Sequence, residues 1–559
     1  MPSVVFSKDR VLNILGRKVD DVSLSKHISY LGTDLEEVNK KDIIVEIFPN
    51  RPDLLSEEGF ARALKTFLGF SKGLKSYVVN KSDFEVVVDK SVSGVRPFTA
   101  CLVAKNLSID ESVLNNIINL QEKLHVTFGR NRKKCAIGVY PFENIVFPIH
   151  YKALSPDKIR FVPLGETKEM NGFDLLKSTK AGKEYAHLLR DEKVFPLFTD
   201  SNDSVMSVPP ILNSRNTGTV GVDTRHVFVE CSGHDFGVVS KALNIIGCAL
   251  ADMGGDIFEV NINYKKEGVV RVTPDFSPDV LRVEFDYLRK YLGLDLKDDV
   301  LIGLVEKMGF GIKNKSGKFV DVLVPCYRAD VIHPVDVVED VCIAYGFDKV
   351  EGVMSGSFSV GKEIFKEKVQ DKVRDVLVGD GLVEVVSYSL VKFDDQKFLG
   401  FNNVLSIKNP TSSEFDSLRE FLVPSVLKTF KSNKMNEYPQ RLFEVGRVFR
   451  KVKGVVEENN DLCVAICSDS ASYTWAKQRL ELLGSLFDLD LKFEAKSFNF
   501  FISGRSAEVK VKHNDKWLCV GFIGEVSLDV LRYYDLEHGV SLFELNIDLV
   551  SKIIEERIV

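Results

Sequence analysis

The chain has 559 residues, 45% of them apolar and 28% charged, with a net charge of −6. That make-up is a soluble globular protein's, too long for one core and sized for about three to five domains. It has no run of about 18 uninterrupted apolar residues, which excludes a transmembrane helix, and its nine cysteines form no C-x-x-C pair, which argues against a disulfide framework or zinc site.

The opening MPSVVFSKDRVL lacks the basic region and apolar core of a signal peptide, so a cytoplasmic location without a membrane partner is expected. Residues 1–85 read as a small α/β unit. IIVEIF at 43–48 is strand-like, and SEEGFARALKTFLGF has helical periodicity with Ser56 as its cap. Residues 86–265 form a β-rich block whose runs CLVAKNL, KKCAIGVY, KIRFVPL and HVFVECSG are rich in β-branched and aromatic residues. Within it, GRNRKK gathers Arg130, Arg132, Lys133 and Lys134, either as a solvated loop or as a local positive patch for nucleic-acid phosphates. His125, His187, His226 and His234 lie in the same block, and each alone reads as a surface or structural histidine.

Residues 268–350 join RVTPDFSP, two helical runs (FDYLRKYLGL and LIGLVEKMGFG) and the acidic segment VPCYRADVIHPVDVVEDVCIAYGFDKV. Pro334 suits the first turn of a helix. From there Asp336, Glu339 and Asp340 fall at i, i+3 and i+4 on one face, and Asp330 lies six residues before Asp336. Such acids favour the positive end of a helix dipole, or, as oxygen donors without clustered His or Cys, a hard cation such as Mg²⁺. MSGSFSVGKE reads as a linker. Its Gly356-x4-Gly361-Lys362 misses a phosphate loop because Glu363 stands where Ser or Thr must hold the metal. Residues 355–559 read as an α+β domain, and neither H-E-x-x-H nor G-x-S-x-G occurs.

P-x-Y-R-x-D, H-P-x-D-x-x-E-D and A-Y-G-F-D-K together resemble the B5 domain of the phenylalanyl-tRNA synthetase beta-subunit family. EIFPNRPDLLSEEGFARAL, SVPPILNS, RLFEVGRVF, SGRSAEV, GEVSLDVL and FELNIDL are similar to other segments of that family, in its order and over nearly the whole chain. The resemblance implies a multidomain α+β protein. It would have a B1-like domain at 1–85, a β-rich B3/B4-like editing domain at 86–265, a B5 domain at 268–350 and a class II synthetase catalytic-like domain at 355–559. The lack of an N-terminal OB-like module and a C-terminal anticodon-binding domain is similar to the short archaeal and eukaryotic type.

The same resemblance implies Mg²⁺ at Asp330, Asp336, Glu339 and Asp340, where it is expected to order the B5 unit and not to touch ATP. It implies hydrolysis of mischarged Tyr-tRNA(Phe) by the middle domain, because an apolar pocket cannot strongly exclude one added hydroxyl. Asn213 and Ser214 match the family's I-N-S element, with Leu212 for Ile. Glu230 and Ser232 stand for Asp and Thr in a V-F-I-D-V-T-G element. A turn at Asn213–Ser214 with supporting strand residues is the structural alternative. Glu444 sits in a strand-like motif but no later Gly-rich motif with an arginine follows, and Arg447 and Arg450 read as surface or subunit-interface residues. Adenylation, with ATP and phenylalanine, is therefore expected in an alpha subunit, in an (αβ)₂ assembly that charges tRNA(Phe). A free-standing editing hydrolase and a non-enzymatic scaffold are the other classes.

Overall fold

A computed structural model describes residues 2–265 and 268–558, and the chain divides into two units, Met1–Val353 and Met354–Val559. The first unit opens with an antiparallel three-stranded sheet in which Asp42–Glu46 lies between Ser3–Ser7 and Asp34–Val38. The helix Glu57–Phe67 begins at Ser56, whose Oγ accepts the Gly59 N–H at 3.0 Å. That bond satisfies one of the donors a helix start leaves free. Phe60, Ala61 and Leu64 then face the core.

Two sheets make the middle of this unit. Five strands run in the order Val79–Asn80, Asp256–Phe258, Phe98–Lys105, Val227–Gly233, Cys135–Pro141. Seven others run Leu212–Asn213, Val205–Val208, Phe195–Thr199, Ile149–Leu154, Glu85–Val88, Val260–Tyr264, Val269–Thr273. Every residue of Val227–Gly233 is buried, Glu230 and Ser232 included. Val227, Val229 and Cys231 join the core under the helix Phe236–Asp252, whereas Phe228 packs with Tyr151, Phe198 and Met206 of the facing sheet. The two-residue period then puts Glu230 and Ser232 on Phe228's side, between the sheets.

Two sequence expectations change here. Val269–Thr273, which a boundary at residue 268 assigns to the next domain, pairs in full register with Val260–Tyr264, so the β-rich module runs on to residue 273. KIRFVPL forms no strand, only isolated bridges from Phe161 to Met170 and Pro163 to Ser214. Pro163 has no N–H to give a ladder. The unit ends in a three-stranded sheet, order Asp279–Glu284, Phe319–Val324, Gly311–Lys315, with helices Phe285–Leu292, Asp298–Lys307 and Pro334–Tyr345.

The second unit is built on a seven-stranded sheet, antiparallel except where Val383–Glu384 pairs with Gln440–Val452. Along Val455–Cys467, Leu462 and Val464 face a core shared with Val373, Leu480 and Val550 of three helices. The alternate residues Cys463, Ala465 and Cys467 face Val426, Leu427 and Val530. Helices therefore cover both faces. The stretch 354–363 has no regular structure, so Gly356 to Lys362 lacks the strand-to-helix setting a phosphate loop needs.

Candidate functional site

A cavity of about 260 Å³ opens at the edge strand Cys135–Pro141 of the five-stranded sheet. Its walls are largely apolar, from Leu114 and Ile117 of the helix Glu111–Val126, Val139 of the strand, and Pro209, Leu212 and Val220 opposite. Asn213 and Glu230 both line it, although seventeen positions separate them in the chain. Glu230 lies in the next strand, paired directly opposite Gly138. A Cβ at residue 138 would come within 2.7 Å of Glu230 Oε1 and 2.3 Å of Tyr140 Oη. The missing side chain is what lets both polar groups lie over the edge strand.

Tyr140 and Ser207 complete the polar set, and the sequence reading did not single out either. The Tyr140 hydroxyl donates to Ser207 Oγ at 2.7 Å and stands 3.2 Å from Glu230 Oε1 and 3.5 Å from Asn213 Oδ1. Burial pushes the Glu230 carboxyl up to about 8, against the opposing pull of Arg96, Tyr140 and Ser232. It is therefore largely protonated near neutral pH. Its Oε2 is buried away from solvent, with the Ser232 hydroxyl as the neighbouring polar group. Burial, then Glu230, also holds the Tyr140 phenol well above its ordinary range. The result is a chamber whose largely apolar walls hold a neutral carboxylic acid beside Ser207 and Asn213, with Glu122, His125 and Arg132 also in its lining. Such a group discriminates strongly for a hydroxyl partner, because leaving it unpaired in an apolar site costs about 1–3 kcal/mol.

The other predicted residues take different places. Ser214 starts a short helix: its Oγ accepts the Asn216 N–H at 3.3 Å and its own N–H donates to Met206 O at 2.7 Å. Ser232 is fully buried and holds Arg96, which donates to its Oγ at 3.2 Å and its carbonyl at 2.6 Å. Arg130, Lys133 and Lys134 are exposed, as expected of a phosphate-facing patch, but Arg132 is not part of it. Its guanidinium donates to the Ile211 carbonyl at 2.8 Å and to Glu122 at 3.0 Å, lies 4.4 Å from the Tyr185 ring and lines the cavity. Backbone φ values of 49°, 52° and 63° at Arg130, Asn131 and Arg132 turn the loop so that neighbouring side chains diverge. His125 also lines the cavity as a structural residue: its Nε2 accepts the Ile137 N–H at 2.8 Å and its Nδ1 faces Glu122 at 3.2 Å.

In the acidic segment, helix Pro334–Tyr345 begins at Pro334, and the Asp336 carboxylate accepts the Ile332 and His333 N–H groups at 2.8 and 2.7 Å. Arg328 organises two of the remaining acids. It donates to both oxygens of Asp330 at 2.8 Å and sits 2.7 Å from Asp340 Oδ2. Glu339 is exposed. Among the described residues no group of three or more His, Cys, Asp or Glu side chains converges as a metal site. The four carboxylates are thus not gathered round a common point. A guanidinium holds Asp330 and Asp340 instead, and Asp336, at the third helical position, closes a capping box with His333 through one of its oxygens. Arg51 and Asp53 repeat the R-x-D fork, at 2.9 and 2.8 Å, and the Arg51 and Arg328 charges together hold Asp53 below its ordinary 3.8 despite burial.

In the second unit Glu444 is buried, accepting from Arg419 at 2.7 Å and from the Ser387 hydroxyl at 2.7 Å. Arg447 is exposed, in keeping with a surface role, whereas Arg450 is turned inward onto Asp461 and lies 4.5 Å from the Phe421 ring.

Residues 281–347 match the tRNA synthetase B5 domain family, and residues 352–547 match the phenylalanyl tRNA synthetase beta chain CLM domain. The chain is 36% identical to a phenylalanine–tRNA ligase beta subunit of Pyrococcus abyssi over 98% of its own length and 99% of the relative's. Against the beta subunit of Archaeoglobus fulgidus it is 34% identical, with 98% of each covered. A crystal structure of an N-terminal fragment of the Pyrococcus horikoshii phenylalanyl-tRNA synthetase beta subunit is similar, at 38% identity and a TM-score of 0.59, covering 62% of this chain and 99% of the fragment. On that identity and coverage, the chain belongs to the family of phenylalanine–tRNA ligase beta subunits.

Proposed function

We propose that this beta subunit supports ATP-dependent charging of tRNA(Phe) by an alpha chain, in an (αβ)₂ assembly, and hydrolyses mischarged Tyr-tRNA(Phe) in the cavity beside Glu230. The observation that carries the editing reading is the protonated Glu230 carboxyl in the lining of a chamber whose walls are largely apolar. A tyrosine ring would occupy the apolar walls, and its hydroxyl would pair with Glu230. Phenylalanine would leave the acid unsatisfied, so cognate product is spared. Asn213 and Ser207, tied through Tyr140, are the adjoining polar anchors. Deacylation of Tyr-tRNA(Phe) by the assembled enzyme is expected to outpace that of Phe-tRNA(Phe) by at least about tenfold; equal rates would sink the reading.

Arg130, Lys133 and Lys134 are proposed as phosphate contacts. Changing all three to Gln is expected to weaken tRNA binding and make it less salt-dependent, with Arg132→Gln acting instead on cavity integrity. An unchanged salt slope in the triple variant would remove the loop from the RNA surface.

Mg²⁺ is proposed at the acidic segment on its donor chemistry, four carboxylates without His or Cys. The arrangement described above does not present them as one ligand set. Asp336 and Glu339, at adjacent positions of one helix face, are the pair open to a cation, with Asp330 and Asp340 engaged by Arg328. Mg²⁺ is expected to raise Tm for the wild type and not for Asp336→Ala/Glu339→Ala. No rise in either protein would mean that Arg328 alone neutralises the segment.

A further inference from the structure

Cys248, on the helix Phe236–Asp252, and Cys326, in the segment leading into the acidic helix, bring their sulfurs within 3.6 Å. They are 78 residues apart in sequence. Cys248 is fully buried, whereas Cys326 is 5% exposed and lines an open cleft with Tyr77, Phe276 and Tyr327. Arg62 binds this junction. It lies 3.9 Å from the Tyr327 ring, donates to Tyr77 Oη at 3.0 Å, and pairs with Asp252 one helical turn beyond Cys248.

We propose that Cys326 and Cys248 are a peroxide-reactive thiol pair that closes reversibly into a disulfide. Cys326 is the attacking thiol, because it lines the open cleft while Cys248 is fully enclosed, and Cys248 resolves it. The Cys326 thiolate attacks a hydroperoxide oxygen, forming a sulfenic acid and releasing water after proton transfer. The Cys248 sulfur then displaces that hydroxyl as a second water. Two thiols and one hydrogen peroxide thus give one disulfide and two waters. The sulfurs need approach by only about 1.5 Å to reach the roughly 2.05 Å of a disulfide.

The electrostatics favour Cys326 as the attacking member. The Cys248 hydrogen bond, helped by the Arg62 and Lys241 charges, lowers the Cys326 thiol against its burial, whereas burial pushes Cys248, like Cys101, Cys231 and Cys463, well above the ordinary range. Closure would tie the helix behind the two-sheet module to the strand end that carries Arg328 and Asp330.

The test treats the reduced full chain with hydrogen peroxide, blocks free thiols and maps peptides without reductant. A linked Cys248–Cys326 peptide is expected, reversed by dithiothreitol, with a higher Tm for the oxidised chain. Cys248→Ser should leave a Cys326 sulfenic acid that dimedone traps. Should this variant fail to fold, the wild-type peptide map decides. Oxidation confined to the exposed Cys519, with Cys248 and Cys326 both recovered as free thiols, would overturn the proposal.

Discussion

Glu230→Ala is expected to lower Tyr-tRNA(Phe) hydrolysis about 10–100-fold, the factor corresponding to roughly 1–3 kcal/mol for an unmatched buried hydroxyl partner. Glu230→Gln is expected to keep most of the activity near pH 7, because an amide matches the protonated acid in shape and in having both a donor and an acceptor. The same substitution has a stability signature. The Glu230 carboxyl lies near 8 in the folded chain against its ordinary 4.5. As pH rises through that window, the unfolded chain ionises while the folded one stays protonated, so wild-type stability falls by an amount on the order of 3–5 kcal/mol. Glu230→Gln escapes the loss and should gain on the wild type between about pH 5 and about pH 8, as read by denaturant unfolding. Equal hydrolysis by the Ala and Gln variants, with parallel pH profiles, would show that Glu230 neither titrates nor recognises substrate.

Arg328→Ala should be the most damaging single change in the acidic segment. The guanidinium is buried and serves Asp330 and Asp340 together. Removing it strands two carboxylates, one nearly inaccessible, and breaking such a pair from one side costs about 3–5 kcal/mol. The damage extends to Asp53, whose carboxyl Arg328 helps to hold down. Because that carboxyl lies below 3.8 in the folded chain, its contribution is complete above the ordinary value and is lost only as pH falls through the lowered one. Thermal unfolding of the first unit checks this directly. A change under about 1 kcal/mol would mean the forks are screened as exposed pairs are. Arg328→Met/Asp330→Leu/Asp340→Leu should recover part of the loss, since no charge is then stranded.

Local signals in the sequence carried much of the architecture. Ser56 and Pro334 start the helices expected of them, because capping and fixed φ act within one turn. The buried strand around Glu230 was legible from its β-branched neighbours. The candidate cavity was only half legible. Tyr140, Ser207 and Glu230 meet across 67 and 90 residues, through a strand register that no local pattern specifies. Arg132 looked like one more exposed base in GRNRKK, yet three successive left-handed residues turn it inward. Arg328 stands in the P-x-Y-R-x-D motif directly beside the acids of its segment. The same R-x-D spacing at Arg51 was the available signal, since two residues place the guanidinium and carboxylate in bidentate reach.

The most direct measurement is deacylation of Tyr-tRNA(Phe) by the purified chain, alone and after adding an alpha subunit. Hydrolysis that depends on the partner and fails in Glu230→Ala is the predicted result. Absence of hydrolysis in both mixtures, while charging with phenylalanine is restored, would contradict it and leave the cavity without an editing role.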